Sequence, residues 1–428
     1  MSAKKKVQTP AEEAQKKQPK QTLKLSLKDY VGIVPRVDLM FIQSLADKFA
    51  DKSFLHVNST KSGGGVAEIL HRMMALLTGI GIKARWETID GDAEFFDTTK
   101  KMHNGMQGDS VTITEKMWEH YNEINRTNAE KLNLEADMVL IHDPQPAPLI
   151  NYKKGGTWLW RCHIDASNPD EGVWNPLAQN VQKYDASIFS VAKFARTLQM
   201  DEFIIPPAIA PLSDKNKELT DAEITAALEK LQIPSDRPII LQVSRFDRFK
   251  DPIGVIKAYR LVKKYNDCIL VLAGSPATDD PEGAIVLYEV IEYAQNDPDV
   301  HILQLPAGSD IEINALQRAA TVILQKSLKE GFGLTVSEAM WKGKPVIGGA
   351  TGGIPLQVRD GFNGFLVNTV EGAALRIRQL LNNPEMAKRM GEFGREDVRR
   401  NFLITRQLRD YLCAWYISEN KGKSLLEL

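Results

Sequence analysis

No stretch of this 428-residue chain approaches the ~20 consecutive apolar residues that a membrane-spanning helix requires. Charge of one sign is also missing: 54 Lys and Arg against 55 Asp and Glu leave a formal net charge of −1. That balance argues against a nucleic-acid or membrane-surface protein, which would carry a large basic excess. Cysteine is scarce. Cys162, Cys268 and Cys413 are odd in number, far apart and without CxxC or zinc-like spacing. Reduced thiols in a cytoplasmic protein are therefore expected, not a disulfide framework. Residues 1–22 begin basic but contain no apolar core, so they read as a disordered tail and not as a secretory signal. No G-x-x-x-x-G-K-[ST] phosphate loop occurs, and Asp90-Gly91-Asp92 is too common a pattern to predict a metal site.

What is present is alternation, in a chain long enough for two domains of roughly 200 residues. SFLHVNS, KARWETI, DMVLIHD, TWLWRCHI and ASIFSV read as short buried strands. Between the first two, Val66, Ile69, Leu70, Met73, Leu76 and Leu77 recur at helical spacing. The pattern breaks at residues 204–219, IIPPAIAPLSDKNKEL, a proline-rich and then polar connection. It restarts with RPIILQVSRF, CILVLAG, HILQL, TVILQ and KPVIG. The expectation is an α/β chain of two Rossmann-like, doubly wound domains facing a central cleft, with ligands at the carboxyl ends of the strands. The first domain is expected over residues 23–212 and the second over 213–399.

Four groups of chemistry-bearing residues fall at those carboxyl ends. In EGFGLTVSE (330–338), Glu330 and Glu338 flank Gly331 and Gly333. Thr335-x-x-Glu338 has capping-box spacing, which predicts a helix starting near Thr335; its N-terminus would suit an anion. The plainer reading makes Glu338 a cap and Glu330 a surface residue. In VSRFDRFKD (243–251), Arg245 and Lys250 could hold two phosphates, or be two solvated cations. Gly63, Gly64 and Gly65 lie in SGGGVAE, a weak dinucleotide fingerprint because Glu68 stands where its last glycine belongs, and a tight turn is the simpler account. IHDPQP and RCHID place His142, Asp143, His163 and Asp165 at strand ends. His71, His103, His120 and His301 attract no functional reading.

In this order the groups resemble the retaining glycosyltransferases of the GT-B fold that carry an E-x7-E motif, a family including sucrose-phosphate synthase. The resemblance covers about residues 50–428. HVNSTKSGGGVAEILH, HDPQPA, WRCHID, QVSRFD and SLKEGFGLTVSEAMWKGKPVIG are similar to stretches of its trehalose-forming members; a longer lysine-rich tail and the segment 210–235 depart from them. The resemblance implies a nucleoside-diphosphate-glucose donor, D-glucose as acceptor and α,α-trehalose as product, reversibly. Arg245 and Lys250 would hold the diphosphate, helped by the N–H groups of Gly333, Leu334 and Thr335. Glu338 would take the ribose hydroxyls, Glu330 with Gly331 the donor sugar, and His163 a sugar hydroxyl. Gly64 and Gly65 would meet the donor, Gly63 and Asp143 the acceptor. No cofactor or metal is implied, magnesium being at most stimulatory, and the partners are small sugars, with a homodimer allowed. The final helix, about 402–417, would cross back so that residues 400–428 complete the first domain. Alternatives left open are another acceptor (a phosphosugar, for which Lys61, Lys153 and Lys154 are the candidate cations, or fructose), a nucleotide-sugar epimerase or pyridoxal-phosphate phosphorylase of the same architecture, and a nucleotide-sugar-binding protein without catalysis.

Overall fold

Parallel strands bury both faces, so a sheet of them needs helices on each side, and the apolar runs of this chain meet that demand twice. The computed structural model describes residues 25–61, 64–274 and 281–423. The tail expectation for 1–22 and the assignment of Gly63 lie outside these residues. Two six-stranded sheets form, all pairs parallel. The first contains β1 (Ser53–Asn58), β2 (Lys83–Thr88), β3 (Met138–His142), β4 (Thr157–Cys162), β5 (Ala186–Phe189) and β6 (Asp201–Ile204), in the order β2-β1-β3-β4-β5-β6. The second contains β7 (Ile239–Val243), β8 (Ile269–Gly274), β9 (Val300–Gln304), β10 (Val322–Gln325), β11 (Val346–Gly349) and β12 (Gly364–Val367), in the order β12-β11-β10-β7-β8-β9. Every residue of β3, β7 and β8 is buried.

β6 and β12 were not expected from the sequence. Both are edge strands of four residues, and β6, Asp-Glu-Phe-Ile, is partly exposed. The strand order reverses beside β1 in the first sheet and beside β7 in the second. A crevice opens at such a switch point, outside the carboxyl ends of the neighbouring strands. The residues at these ends are Asn58 and His142-Asp143 in one sheet, and Ser244-Arg245 and Lys326-Ser327 in the other.

After the second sheet the chain returns to the first. Ile209 N–H donates to the Phe402 carbonyl at 2.8 Å, and Ile404 N–H donates to the Ile209 carbonyl at 2.9 Å. The helix Ile404–Glu419 then packs on the helices Arg36–Asp47 and Gly64–Gly79 and on β4. Trp415, wholly buried, stacks on Phe49 with ring centroids 3.9 Å apart. Burying an aromatic of this size contributes about 4–6 kcal/mol before entropy is counted, enough to hold the closing helix against the first sheet.

Candidate active site

The loop after β10 carries Glu330 into the crevice, and its carboxylate is held by one oxygen. Lys250 Nζ lies 2.8 Å from Oε2, Ser327 Oγ donates to it at 3.1 Å and Gln325 Nε2 at 3.2 Å. The Lys250 and Glu330 side chains are only 16% and 10% exposed, so this ion pair is poorly screened by water. Lys250 is placed by its own carbonyl, which accepts from Gln242 Nε2 at 2.7 Å. Next to it, Asp251 takes the left-handed conformation (φ 51°) and caps the helix Pro252–Lys263, while its carboxylate pairs with Lys326. Arg245 is about half exposed and lies 3.5 Å from Asp247.

The predicted capping box does not form. The helix Leu334–Trp341 starts one residue earlier, on Gly333 at φ 83°, with no side-chain cap. Glycine meets that positive φ without strain. The shift turns Thr335 Oγ1 toward Gln325 Oε1, 3.2 Å away. It also sends Glu338 inward, where the side chain is buried and Lys215 Nζ lies 3.9 Å from its carboxylate. Lys215 also contacts Glu68 of the first domain at 2.6 Å and Asp310 at 3.8 Å. Burial works against the Lys215 ammonium, but Glu338 and Glu68 overcome it and hold its pKa above the ordinary lysine value. Burial, and then the charge on Glu338, raises the Glu68 carboxyl. First-turn N–H groups without a side-chain cap are available to an anion. Gln357 braces the loop from behind, donating to the Phe332 carbonyl at 2.6 Å while accepting from Ser337 Oγ at 2.5 Å.

The first domain approaches this loop closely at two glycines. A Cβ on Gly65 would stand 2.8 Å from Leu334 Cδ1, and one on Gly331 would stand 3.2 Å from the His163 carbonyl oxygen. Gly64 opens the helix Gly64–Gly79 beside them. At the β3 end Asp143 adopts the left-handed region at φ 63°, which aspartate tolerates better than most residues. Its Oδ1 accepts from the His163 N–H at 2.7 Å, and burial pushes its carboxyl up to about 7. Beside Glu330 opens a cavity of about 630 Å³, lined from the first domain by Gln107, Asp165 and Ser167 and from the second by Lys329, Thr351 and Gly352. Lys329 bridges the cleft to Asp109 at 2.8 Å.

A chain of contacts thus joins Gly65, Leu334, Gly333, Glu330, Lys250, Gly331, His163 and Asp143, with Thr335 tied in through Gln325, whereas Glu338 is buried. Lys153 and Lys154 lie elsewhere: they precede β4 at the amino edge of the sheet, paired with Asp185 and Glu135. Asp92 caps the helix Ala93–Met106, accepting from Phe95 N–H at 2.8 Å, which gives its carboxylate a structural task. Among the described residues no group of three or more His, Cys, Asp or Glu could hold a metal ion. Sequence reasoning passed over His103. Burial, then the charges of Lys100 on its own helix and of Arg245 from the second domain, lowers its pKa to about 4. It also passed over Gln107 and Asp109, whose polar surroundings carry no spacing signal.

Two parallel sheets opposed across a crevice, with the start of the helix Gly64–Gly79 on one side and a paired Lys–Glu loop on the other, define a GT-B glycosyltransferase. Residues 223–397 match the family model of the group 1 glycosyl transferases, and residues 56–196 match that of the trehalose synthase N-terminal domain. The chain belongs to the trehalose synthase family of glycosyltransferases. It is 48% identical over 397 residues to a trehalose synthase of Pyrococcus horikoshii, covering 91% of this chain and 95% of that protein. It is 42% identical over 398 residues to one from Rubrobacter xylanophilus, covering 90% and 95%. A trehalose phosphorylase of Grifola frondosa is 29% identical over 83% of this chain and 56% of its own length. Among solved structures, the fold resembles an α,α-trehalose-phosphate synthase (UDP-forming) from Burkholderia xenovorans in complex with glucose-6-phosphate, with a TM-score of 0.68 at 14% identity over 85% of this chain and 99% of that one. A sucrose-phosphate synthase from Thermosynechococcus elongatus gives 0.64 at 20% identity over 83% and 97%. No helix among the described residues is long and apolar enough to cross a membrane.

Proposed function

We propose that the enzyme transfers glucose, with retention of its α configuration, from a nucleoside-diphosphate-glucose to D-glucose, forming α,α-trehalose reversibly. The observation that carries this reading is the anchoring of Glu330. Three donors hold one carboxylate oxygen, which leaves the rest of the group to meet sugar hydroxyls beside a cavity roomy enough for a hexose.

In this reading Arg245 and Lys250 bind the diphosphate, and the uncapped helix start at Gly333, Leu334 and Thr335 adds N–H groups to it. All of these act where negative charge grows as the sugar leaves. The C1–O bond to phosphate breaks as the acceptor hydroxyl forms the new C1–O bond on the same face. The hydroxyl proton passes to a phosphate oxygen, so the protein supplies no base. His163 and Glu330 hold the donor sugar, Asp143 orients the acceptor, and Glu338 meets the ribose once Lys215 gives way. The close fit of Gly65 on Leu334 supports a cleft that shuts out water, the competing acceptor.

The test is a product assay pairing UDP-, ADP- and GDP-glucose with glucose and with glucose 6-phosphate, with the linkage read by NMR. α,α-Trehalose from free glucose is expected. Trehalose phosphate as the main product would replace the acceptor, a reading with one observation behind it: Lys193 and Lys329 line the same cavity.

A further inference from the structure

Three histidines stand in a diagonal row across the carboxyl ends of β1, β3 and β4. His56 Nδ1 lies 2.8 Å from His142 Nε2, and His142 Nδ1 lies 3.0 Å from His163 Nε2. The rings lie edge to edge and nearly parallel, tilted by only 20° and 16°, with centroids 5.2 and 5.3 Å apart, so each in-plane N–H can point at the next ring's lone pair. One end is in the core, where wholly buried His56 packs between the rings of Phe54 and Tyr411. The other end is His163, partly exposed in the cleft. Burial keeps the row neutral: it lowers the His56 pKa to about 3 and holds those of His142 and His163 well below the usual value, with the Arg161 guanidinium reinforcing it at the latter two.

A neutral imidazole carries one N–H and one lone pair, so such a row has two proton registers. With every ring protonated at Nε2, the protons point inward and the last one, on His56, ends in the core. With every ring protonated at Nδ1, they point outward and His163 presents Nδ1–H to the cleft. The core end decides between them. His56 Nε2 is buried and has no hydrogen-bond partner among the described residues. An N–H orphaned there would cost more than a bare lone pair, since buried N–H groups are almost always paired and acceptors less strictly so.

We propose that the row is locked in the Nδ1–H register, so that His56 and His142 are positioning residues that make His163 a fixed hydrogen-bond donor to a hydroxyl oxygen of the bound sugar. The sugar contact rests on the function proposed above; the register does not. It runs against the Nε2–H tautomer that free histidine prefers in water, which makes it a demanding claim. The hydrogen bond made at one ring nitrogen sets the proton on the other, and His142 is the link through which His163 feels the core.

The experiment is a two-bond 1H–15N correlation on the full chain labelled with 15N-histidine, His163 being assigned by loss of its signals in His163→Ala. Neutral Nδ1–H signatures are expected for His56, His142 and His163. An Nε2–H or an imidazolium signature at His163 overturns the proposal. In His142→Leu, His163 is expected to drift to the Nε2–H form. In His142→Asn, whose amide can donate from the place of Nδ1, the Nδ1–H signature is expected to return. kcat/KM for the glucose donor should fall about five- to tenfold in His142→Leu, the loss of one neutral hydrogen bond, and recover in His142→Asn. Added to His163→Ala, the His142→Leu change should cost nothing more; a full additional loss would assign His142 a merely structural role. The signature in the unsubstituted chain decides the register even if a His142 variant fails to fold. If that signature holds while His163→Ala leaves kcat/KM unchanged, the sugar contact is overturned and the register stands.

Discussion

The contact between Gly65 and Leu334 makes closure of the cleft open to a one-carbon test. A Cβ on Gly65 would come within 2.8 Å of Leu334 Cδ1, where ordinary contact is 3.4–4 Å. In Gly65→Ala the two surfaces must therefore part by about 0.6–1.2 Å, or Leu334 must leave its rotamer. Overpacking of this kind costs about 1–3 kcal/mol, and it falls on the approach of the two domains. Converted at 1.36 kcal/mol per decade, kcat/KM should fall about five- to 150-fold. Stability should fall less than activity, because Gly65 lies in the first turn of a helix, where alanine offsets part of the cost through its higher helix propensity. Kinetics and urea unfolding would be measured on Gly65→Ala, Leu334→Ala and the double variant. Truncating Leu334 removes the obstructing methyl, so the double variant should regain most of what Gly65→Ala loses. Unchanged kinetics in Gly65→Ala, or a loss that Leu334→Ala does not rescue, would refute the idea that these two residues meet in the working enzyme.

Two further outcomes are expected. Lys250→Met removes the cation from a pair that is mostly buried, leaving Glu330 with two neutral donors; a loss of about 2–4 kcal/mol in urea unfolding should follow, together with weaker nucleoside diphosphate binding by calorimetry, and unchanged binding would remove Lys250 from the diphosphate site. Asp143 has its carboxyl raised to about 7 by burial, against 3.8 for the free group; the unfolded chain releases this proton first, so the group's contribution to stability is full below pH 4 and is lost as pH rises toward and through 7. Asp143→Asn should remove that part of the decline, and identical pH–stability curves for the two chains would show that Asp143 is already ionised in the native state.

The alternation of apolar runs with helical periodicity was enough, from sequence, for two doubly wound sheets and for the placing of Glu330, Arg245, Lys250, Asp143 and His163 at strand ends. Those signals are local: pleat and helix period repeat every two or 3.6 residues, and the chain writes them where they act. β6 escaped because a partly exposed edge strand, Asp-Glu-Phe-Ile, needs no apolar run, whereas β12, Gly-Phe-Leu-Val, is apolar and largely buried but too short to stand out. The capping box failed on a single backbone angle, since Gly333 at φ 83° starts the helix one residue early and points Glu338 to the core. Other features belong to no local pattern. His56 and His142 are 86 residues apart and Lys250 and Glu330 are 80 apart; they meet because β3 lies beside β1 and β10 beside β7. Strand order and register are settled by how whole helices and sheets pack, so the elements and their chemistry were legible in the sequence, while the partners of each charged group, and the donor or acceptor face each histidine shows, were decided by the tertiary fold.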